Sequence, residues 1–234
     1  KQGLIRGGKE FLITDMHPIR PWYNYLWSEN QVSSCDQFGF GRSISGIGEL
    51  RRTLLIDGEN RLLYIKNREN GLVYSPNRNY DNLNFEKFYC VVGLGYQKIV
   101  SEYAGVSVEF IITVPQNGYC ELYSVKVKNE SGKKFSGDLY FYLRPAVNVT
   151  DHASCGAGDW SNEINGIFYT DNYYLRDHDY TSMFIKSIEK VASFDVSDEN
   201  FLGVYGSRAN PEGIKNKKLS CKGTTFESDY AGVM

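Results

Sequence analysis

A two-residue alternation of apolar and polar side chains runs through much of this sequence, and it constrains the fold more than any other feature. The alternation is clearest over residues 106–114 and 123–127, and tyrosines alternate with Leu and Phe over 139–143. Successive side chains of a β-strand point to opposite faces, so this pattern predicts strands with one face on a core. Residues 61–66 and 72–74, which flank a turn-rich stretch, predict a β-hairpin.

Helical periodicity is scarce by comparison. The sequence predicts one short helical turn over 199–202, capped by Asp198 and ended by Gly203. Many strands with turns at short intervals predict an all-β protein, a large antiparallel two-layer sandwich with few short helices. Because no linker, repeat or low-complexity tract divides the 234 residues, residues 1–234 are predicted to form a single β-sandwich domain.

The charge balance excludes a general polyanion-binding protein. Lys and Arg number 26 and Asp and Glu number 28, a net charge of −2 at pH 7. Binding to nucleic-acid phosphates requires clustered excess positive charge, so no nucleic-acid partner is expected. No apolar run approaches the ~18–20 residues that cross a bilayer, and the first residues lack the apolar stretch of a signal peptide. We therefore expect a soluble, cytoplasmic protein that does not bind membranes.

Neither the cysteines nor the histidines form a recognisable site. The five cysteines (Cys35, Cys90, Cys120, Cys155 and Cys221) include no Cys-x-x-Cys pair, which predicts reduced, mostly buried thiols and no metal site or cofactor. Three histidines occur, and one lies within Asp177-His178-Asp179. Because neighbouring side chains of a strand face opposite sides, a solvated loop is favoured there over acid–base or metal chemistry. No serine-hydrolase, zinc-protease or P-loop motif is present, so the local motifs identify no catalytic residue.

Aromatic side chains make up 15% of the chain. Tyr and Trp combine an apolar face with a polar edge, which suits sheet surfaces first of all and also the stacking of sugars. The densest stretch is 20–27, where Trp22 and Tyr23 are followed by two more aromatic residues.

A glycine-rich stretch, residues 37–43, follows soon after. Glycine lets a backbone approach a ligand closely, and Gln37, Arg42 and Ser43 offer donors for hydroxyl groups or an anion. Arg51 and Arg52 add two positive charges nearby. The same residues are equally consistent with a strand corner closed by a glycine turn, so the residue types leave both interpretations open.

The order of several short motifs resembles that of a known family. The motifs are Arg20-Pro21-Trp22-Tyr23-Asn24-Tyr25-Leu26, Gly41-Arg42-Ser43, Leu50-Arg51-Arg52, Gly93-Leu94-Gly95-Tyr96, Val114-Pro115, Val127-Lys128-Asn129, Phe201-Leu202-Gly203-Val204-Tyr205-Gly206-Ser207, Pro211 and Asp229-Tyr230-Ala231-Gly232. In this order they resemble glycoside hydrolase family 94, the inverting phosphorylases of the cellobiose, cellodextrin, laminaribiose and chitobiose type. The resemblance covers nearly the whole chain.

The resemblance implies an N-terminal β-supersandwich domain of the galactose mutarotase-like kind. In the family this domain precedes a helical (α/α)6 barrel that carries the general-acid aspartate. We therefore expect the barrel to be absent from this chain, and either to follow it in a longer reading frame or to be supplied as a companion chain. It implies phosphorolysis of β-linked gluco-oligosaccharides, with inorganic phosphate as co-substrate and no cofactor. It also implies a homodimer, no catalytic residue in this chain, and an inactive domain when isolated.

By the same resemblance, the loop over 37–43 contacts sugar and Arg51 and Arg52 position it, which adds to the candidates Trp22 and Tyr23. Two departures from the family lie in this region. Arg42 stands where the family usually has an aromatic residue, and residues 53–56 replace a basic and aromatic run. Both departures put the identity of the acceptor sugar in question.

Two other functions are compatible with the sequence. A stand-alone carbohydrate-binding or assembly module would use the exposed aromatics without performing chemistry. An aldose epimerase would share a related supersandwich but requires a His and a carboxylate that converge on a sugar, and neither His152 nor His178 lies in a recognisable epimerase motif.

Overall fold

The fold is built almost entirely from antiparallel strands, as the alternation predicts. The structure is a computed structural model and describes residues 2–46, 52–146, 156–171, 182–224 and 230–234. Its strands are β1 (Gly3–Ile5), β2 (Glu10–Ile13), β3 (Asn24–Trp27), β4 (Gln31–Cys35), β5 (Ser43–Ser45), β6 (Arg52–Leu55), β7 (Arg61–Asn67), β8 (Val73–Tyr74), β9 (Lys87–Gly93), β10 (Tyr96–Tyr103), β11 (Val106–Thr113), β12 (Leu122–Asn129), β13 (Gly137–Leu143), β14 (Gly156–Ser161), β15 (Gly166–Asp171), β16 (Ser182–Lys186), β17 (Asp195–Ser197) and β18 (Tyr230–Val233). The helices of the described residues are α1 (Asp198–Leu202) and α2 (Glu212–Lys215). The all-β prediction is confirmed.

The residues group into two compact units. Unit 1 comprises Lys1–Arg52 and Asp57–Leu139, and unit 2 comprises Thr53–Ile56 and Tyr140–Met234. The prediction of a single domain over 1–234 stays a prediction.

Unit 1 contains a six-stranded sheet in the order β1-β2-β9-β10-β11-β12. On β11 the apolar members of the predicted alternation are buried and their neighbours are half-buried. The turn between β10 and β11 has only two residues, Ala104 at φ 52° and Gly105 at φ 73°. Two-residue hairpin turns favour positive φ at both positions because that twist matches the strands, so this turn fixes the register. The predicted hairpin is also present, since β7 pairs with β8 through Ile65 and Tyr74.

The strands β3, β4 and β5 form consecutive antiparallel pairs in unit 1. Leu26 is buried, whereas Tyr25 and Trp27 on the opposite face of β3 are exposed. The chain between β4 and β5, residues 36–42, is called the Asp36 loop below.

Unit 2 has a three-stranded antiparallel sheet in the order β14-β15-β16, and β18 pairs with both β17 and the last residues of β13. Its core is a cluster of Ile167, Tyr169, Phe194, Val196 and Tyr230. These side chains pack together as the hydrophobic interior of the unit.

The predicted helical turn lies where expected, but its cap is different. Ser197, not Asp198, is the N-cap, and its hydroxyl accepts a hydrogen bond from the Asn200 amide. The Asp198 carboxylate instead accepts a hydrogen bond of 2.6 Å from the Tyr142 hydroxyl. Gly203 ends the helix at φ 85°, as predicted.

Candidate functional site

The Asp36 loop is held by its own first side chain. Asp36 Oδ1 accepts hydrogen bonds from the amides of Phe38 at 2.8 Å and Phe40 at 2.9 Å. Backbone amides in a turn lack the partners that a strand would provide. A carboxylate that accepts from them supplies the missing hydrogen bonds. Gly41 is required where the loop returns to β5, because its φ is 145° and a Cβ atom there would lie 2.4 Å from the Ser34 carbonyl oxygen. The local sequence therefore specifies a rigid loop.

Arg61 on β7 fastens the same loop from inside unit 1. Its fully buried guanidinium forms a two-point ion pair with Glu121, at 2.9 Å from Nε and 2.8 Å from Nη2. The other donors bind the Gly39 carbonyl at 2.9 Å and the Gly41 carbonyl at 3.1 Å. Because planar Arg donates in several fixed directions at once, one side chain holds two loop carbonyls and a carboxylate.

Both members of this pair, Arg61 and Glu121, are ionised in the folded protein. Burial alone would raise the pKa of Glu121, but the charge and hydrogen bonds of Arg61 outweigh it and leave that pKa below its ordinary value. Burial likewise opposes the charge of Arg61, yet Glu121 holds its pKa well above the usual range. Breaking one partner would leave the other charge buried without compensation.

Two of the predicted site residues are buried within this arrangement. The Gln37 side chain is 1% exposed, and its Oε1 accepts a hydrogen bond of 3.0 Å from the Trp22 amide. Ser43 is fully buried, and its hydroxyl accepts a hydrogen bond of 3.2 Å from Gln31 Nε2. Both side chains thus connect segments of unit 1. They stabilise the loop and its neighbouring strands from the buried side.

Three other candidates lie at the surface. Trp22 is 46% exposed and stacks on Phe11 with ring centroids 5.7 Å apart, and Tyr23 is 51% exposed. Arg42 is exposed, while its backbone pairs with that of Ser34. Arg51 lies outside the described residues, and of Arg52 only the backbone, at the start of β6, is described.

Trp22 and Tyr23 line separate recesses of unit 1. The first, called the Tyr23 recess, has a volume of about 230 Å³ and is lined by Pro21, Tyr23, Asp36, Phe38, Phe40, Gly41, Asp57, Gly58, Glu59 and Arg78. The second has a volume of about 350 Å³ and is lined by Gln2, Asp15, Pro18, Ile19, Arg20, Pro21 and Trp22. The structure therefore does not gather the predicted residues around one cavity.

The polar wall of the Tyr23 recess was not found from the sequence. Burial raises the pKa of Asp36 to about 6, against the opposing effect of its two backbone hydrogen bonds. Burial, followed by the charges of Asp36 and Asp57, raises the pKa of Tyr23. Arg78 donates from Nε to Glu59 at 3.0 Å and lies over the Phe38 ring at 5.1 Å. The only local signal was the Asp at the start of a glycine-rich loop.

The histidines and the other possible metal ligands of the described residues form no metal site. His17 is exposed, and its backbone amide donates to Asp15 Oδ1, whereas His152 and His178 lie outside the described residues. Over the described ranges, no group of three His, Cys, Asp or Glu side chains is arranged to hold a metal ion. Among the same residues, none of the helices has the length and apolar character needed to cross a bilayer.

The cysteine prediction is met in part. Cys35 and Cys90 are free and buried, and burial raises the pKa of the Cys35 thiol to about 12, which keeps it protonated. Cys120 is half-buried and Cys221 is exposed, so only two of the described thiols are buried. Cys155 lies outside the described residues.

Comparison with known proteins decides the family. The family model described as glycosyl hydrolase 94, supersandwich domain, matches residues 9–229. The chain belongs to this family. The match confirms the predicted family and its supersandwich fold class.

The relatives of this family 94 chain are much longer than it is. Solabiose phosphorylase of Paenibacillus borealis is 25% identical over 97% of this chain and 31% of that protein. N,N'-diacetylchitobiose phosphorylase of Vibrio furnissii is 22% identical over 91% of this chain and 28% of that protein. Cellobionic acid phosphorylase of Neurospora crassa is 27% identical over 74% of this chain and 22% of that protein. The chain thus spans less than a third of each of these relatives.

Proposed function

We propose that this chain is the N-terminal, non-catalytic supersandwich domain of an inverting glycoside phosphorylase that acts on β-linked gluco-oligosaccharides. The observation that carries the proposal is the family match over 9–229, together with three long relatives that are all named as phosphorylases. The whole enzyme uses inorganic phosphate as co-substrate, needs no other cofactor and works in the cytoplasm as a homodimer. Its helical barrel is a further domain or a companion chain.

In the proposed reaction, a phosphate oxygen attacks the anomeric carbon and forms a new C–O bond with inversion. The bond from that carbon to the glycosidic oxygen breaks, and a general acid gives its proton to the departing oxygen. An inverting hydrolase needs a second carboxylate to activate water, but phosphate is already a nucleophile. The general acid belongs to the helical barrel, so the chemistry of this chain is confined to positioning.

The rigid Asp36 loop supports that positioning role. Arg61 and Asp36 hold its backbone, and Gln37 and Ser43 support it from the buried side. A fixed loop loses little conformational freedom when substrate binds, which favours the bound geometry. Arg42, at the exposed end of the loop, then offers its charged group to substrate, with Trp22, Tyr23, Arg51 and Arg52 as the other candidates.

The test is phosphorolysis by the complete gene product with a panel of β-linked disaccharides. We expect Arg42→Ala to raise KM by about tenfold, equivalent to one lost charged hydrogen bond, and Trp22→Ala to act in the same direction. Lys134→Ala and Leu94→Ala, which change exposed side chains elsewhere in unit 1, serve as controls and should leave KM unchanged. Release of no sugar 1-phosphate from any disaccharide would reject the proposed activity.

The alternative is a stand-alone carbohydrate-binding or assembly module. It is favoured by one observation, the exposed aromatic face of β3 that carries Tyr25 and Trp27. This function predicts oligosaccharide binding in the millimolar range without phosphate turnover, lost on Trp22→Ala or Tyr23→Ala. Turnover of a disaccharide with phosphate would exclude it.

A further inference from the structure

The Tyr23 recess combines an apolar wall with an unusually mixed polar wall. Its apolar surface comes from the rings of Tyr23, Phe38 and Phe40, and its charged groups are those of Asp36, Asp57, Glu59 and Arg78. Ligand sites are typically concave and mostly apolar with a few placed polar groups. At about 230 Å³ the recess is smaller than sites that hold drug-sized molecules, so it suits one ring and not a chain.

Asp36 presents an acceptor that the protein does not use. The residue is 6% exposed, and its Oδ1 accepts both loop hydrogen bonds. Within the described part of the chain, no group donates a hydrogen bond to Oδ2. An ionised carboxylate oxygen is a strong acceptor, so a ligand hydroxyl that reaches Oδ2 gains a charge-assisted hydrogen bond.

Arg78 supplies complementary donors on the same wall. Its Nε donates to Glu59 Oε1 at 3.0 Å, and the Tyr80 hydroxyl donates to Glu59 Oε2 at 2.7 Å, so both Glu59 oxygens are occupied. The guanidinium carbon also lies 5.1 Å from the centroid of the Phe38 ring, within the range of a cation–π contact. Across the residues that the structure describes, Nη1 and Nη2 of Arg78 donate to no protein acceptor and remain available to a ligand.

The charges of the recess select against anions, because Asp36, Asp57 and Glu59 repel a group such as phosphate. A cation would be repelled by Arg78 alone, but it would leave the donors of Arg78 unused. A neutral molecule that both donates and accepts meets neither penalty, and the C–H face of a sugar ring is apolar enough to pack on an aromatic wall. Hydroxyl groups on a ring therefore match the acceptors and donors present.

We propose that the Tyr23 recess binds a single neutral pyranose unit, with Asp36 Oδ2 accepting from a sugar hydroxyl and Arg78 donating to a sugar oxygen. This saccharide site is additional to the substrate contacts proposed for Trp22 and Arg42. It does not depend on the proposed phosphorylase activity, because the lining residues alone define its ligand.

The experiment is calorimetric titration of the complete gene product with methyl β-D-glucopyranoside. We expect a dissociation constant on the order of 1 mM for the wild type. Asp36→Asn keeps Oδ1 as the loop acceptor and converts only the recess-facing oxygen into a donor, so it should weaken binding by about tenfold or more. Asp57→Asn, an exposed position, should weaken binding without affecting the loop. Asp81→Asn, also exposed but outside the recess, is the matched control and should bind as the wild type does.

Several outcomes would overturn the site. These are absence of binding by the wild type, equal binding by wild type and Asp36→Asn when both melt cooperatively, or tighter Asp36-dependent binding of glucosamine or gluconate than of the neutral glucoside. Should Asp36→Asn not fold, Asp57→Asn decides alone. Lys134→Ala and Leu94→Ala, at exposed positions of unit 1 outside the recess, should retain the binding. Asp36-dependent binding without phosphorolysis would reject only the proposed enzyme function, and phosphorolysis without such binding would reject only this site.

Discussion

At the scale of single residues, Arg61 carries the largest share of the loop architecture. Its side chain is fully buried, pairs with Glu121 and reaches two carbonyls of the Asp36 loop. No local sequence motif predicts this ion pair, because Arg61 and Glu121 lie 60 positions apart in the sequence. Its importance follows from burial, since an ion pair in a low-dielectric interior is strongly coupled.

Arg61→Met should lower the free energy of unfolding by about 3–5 kcal/mol, because Glu121 would remain as a buried, uncompensated charge. Urea denaturation at neutral pH measures this. The matched control is Arg68→Met, which removes an ion pair to Asp138 from a side chain that is 60% exposed and should cost about 0–1 kcal/mol. The double variant Arg61→Met with Glu121→Gln should recover part of the loss. Equal effects of Arg61→Met and Arg68→Met would contradict the coupling.

Asp36 predicts a pH dependence of stability. Its folded pKa of about 6 lies above the value near 3.9 expected in the unfolded chain, so the folded state binds more protons between these pH values. Stability contributed by Asp36 is therefore fully present below about pH 4 and is lost as pH rises through about 6. Relative to Asp36→Asn, the wild type should gain about 2–3 kcal/mol between pH 7.5 and pH 4.

Paired urea unfolding curves at several pH values measure that difference. Asp36→Asn retains the Oδ1 acceptor for Phe38 and Phe40, so the comparison isolates the charge. Asp81→Asn gives the effect of removing one exposed carboxylate from unit 1. A wild-type advantage that stays constant or shrinks as the pH falls would refute the shift.

At the scale of elements, Gly41 makes the return of the Asp36 loop possible. Gly41→Ala would bring a Cβ atom to 2.4 Å from the Ser34 carbonyl oxygen, in addition to straining φ. Gly58→Ala strains φ at 105° but places no atom within 4 Å of the new Cβ. We expect Gly41→Ala to lower the melting temperature by several degrees more than Gly58→Ala, since about 1 kcal/mol corresponds to roughly 2–4 °C at this size. Similar melting temperatures would show that the backbone there relaxes without cost.

The elements themselves were largely accessible from the sequence. Period-two alternation predicted β11, β12 and the β7–β8 hairpin because side-chain direction follows directly from strand geometry. The same alternation did not reveal which side chains of β13 are buried: Tyr140, Tyr142 and Leu143 are buried, whereas Leu139 is 41% exposed. The identity of the buried face depends on what packs against a strand, which local sequence does not encode.

The candidate site was less accessible for the same physical reason. Gln37 and Ser43 were predicted as ligand donors from residue type, yet both side chains bind groups of unit 1. Asp36 and Arg78, which line the Tyr23 recess, were missed because the loop and β8 region meet only after folding. Residue type indicates which hydrogen bonds a side chain can form. Tertiary contacts decide which of its donors and acceptors remain available to a ligand.

At the scale of the whole molecule, the proposed role divides binding and chemistry between parts of a larger protein. This chain spans 31% of solabiose phosphorylase and 28% of N,N'-diacetylchitobiose phosphorylase of Vibrio furnissii. Inverting phosphorolysis needs one general acid, which the family resemblance assigns to a helical barrel. Under the proposed function, a supersandwich domain separated from that barrel would lack the proton donor.

The 234-residue chain alone should therefore release no sugar 1-phosphate from phosphate and the disaccharide that the complete gene product cleaves, whereas the complete gene product should do so. The measurement is sugar 1-phosphate formed over time, at protein concentrations at which the complete product converts its substrate fully. Removing the acid usually costs about 10²–10⁴-fold in rate, and loss of the barrel also removes the bound geometry, so the expected rate equals the blank. Adding the separately produced helical part should restore turnover if the two associate. Phosphorolysis by the isolated chain, sensitive to substitution of one of its own carboxylates, would instead place the proton donor within the supersandwich.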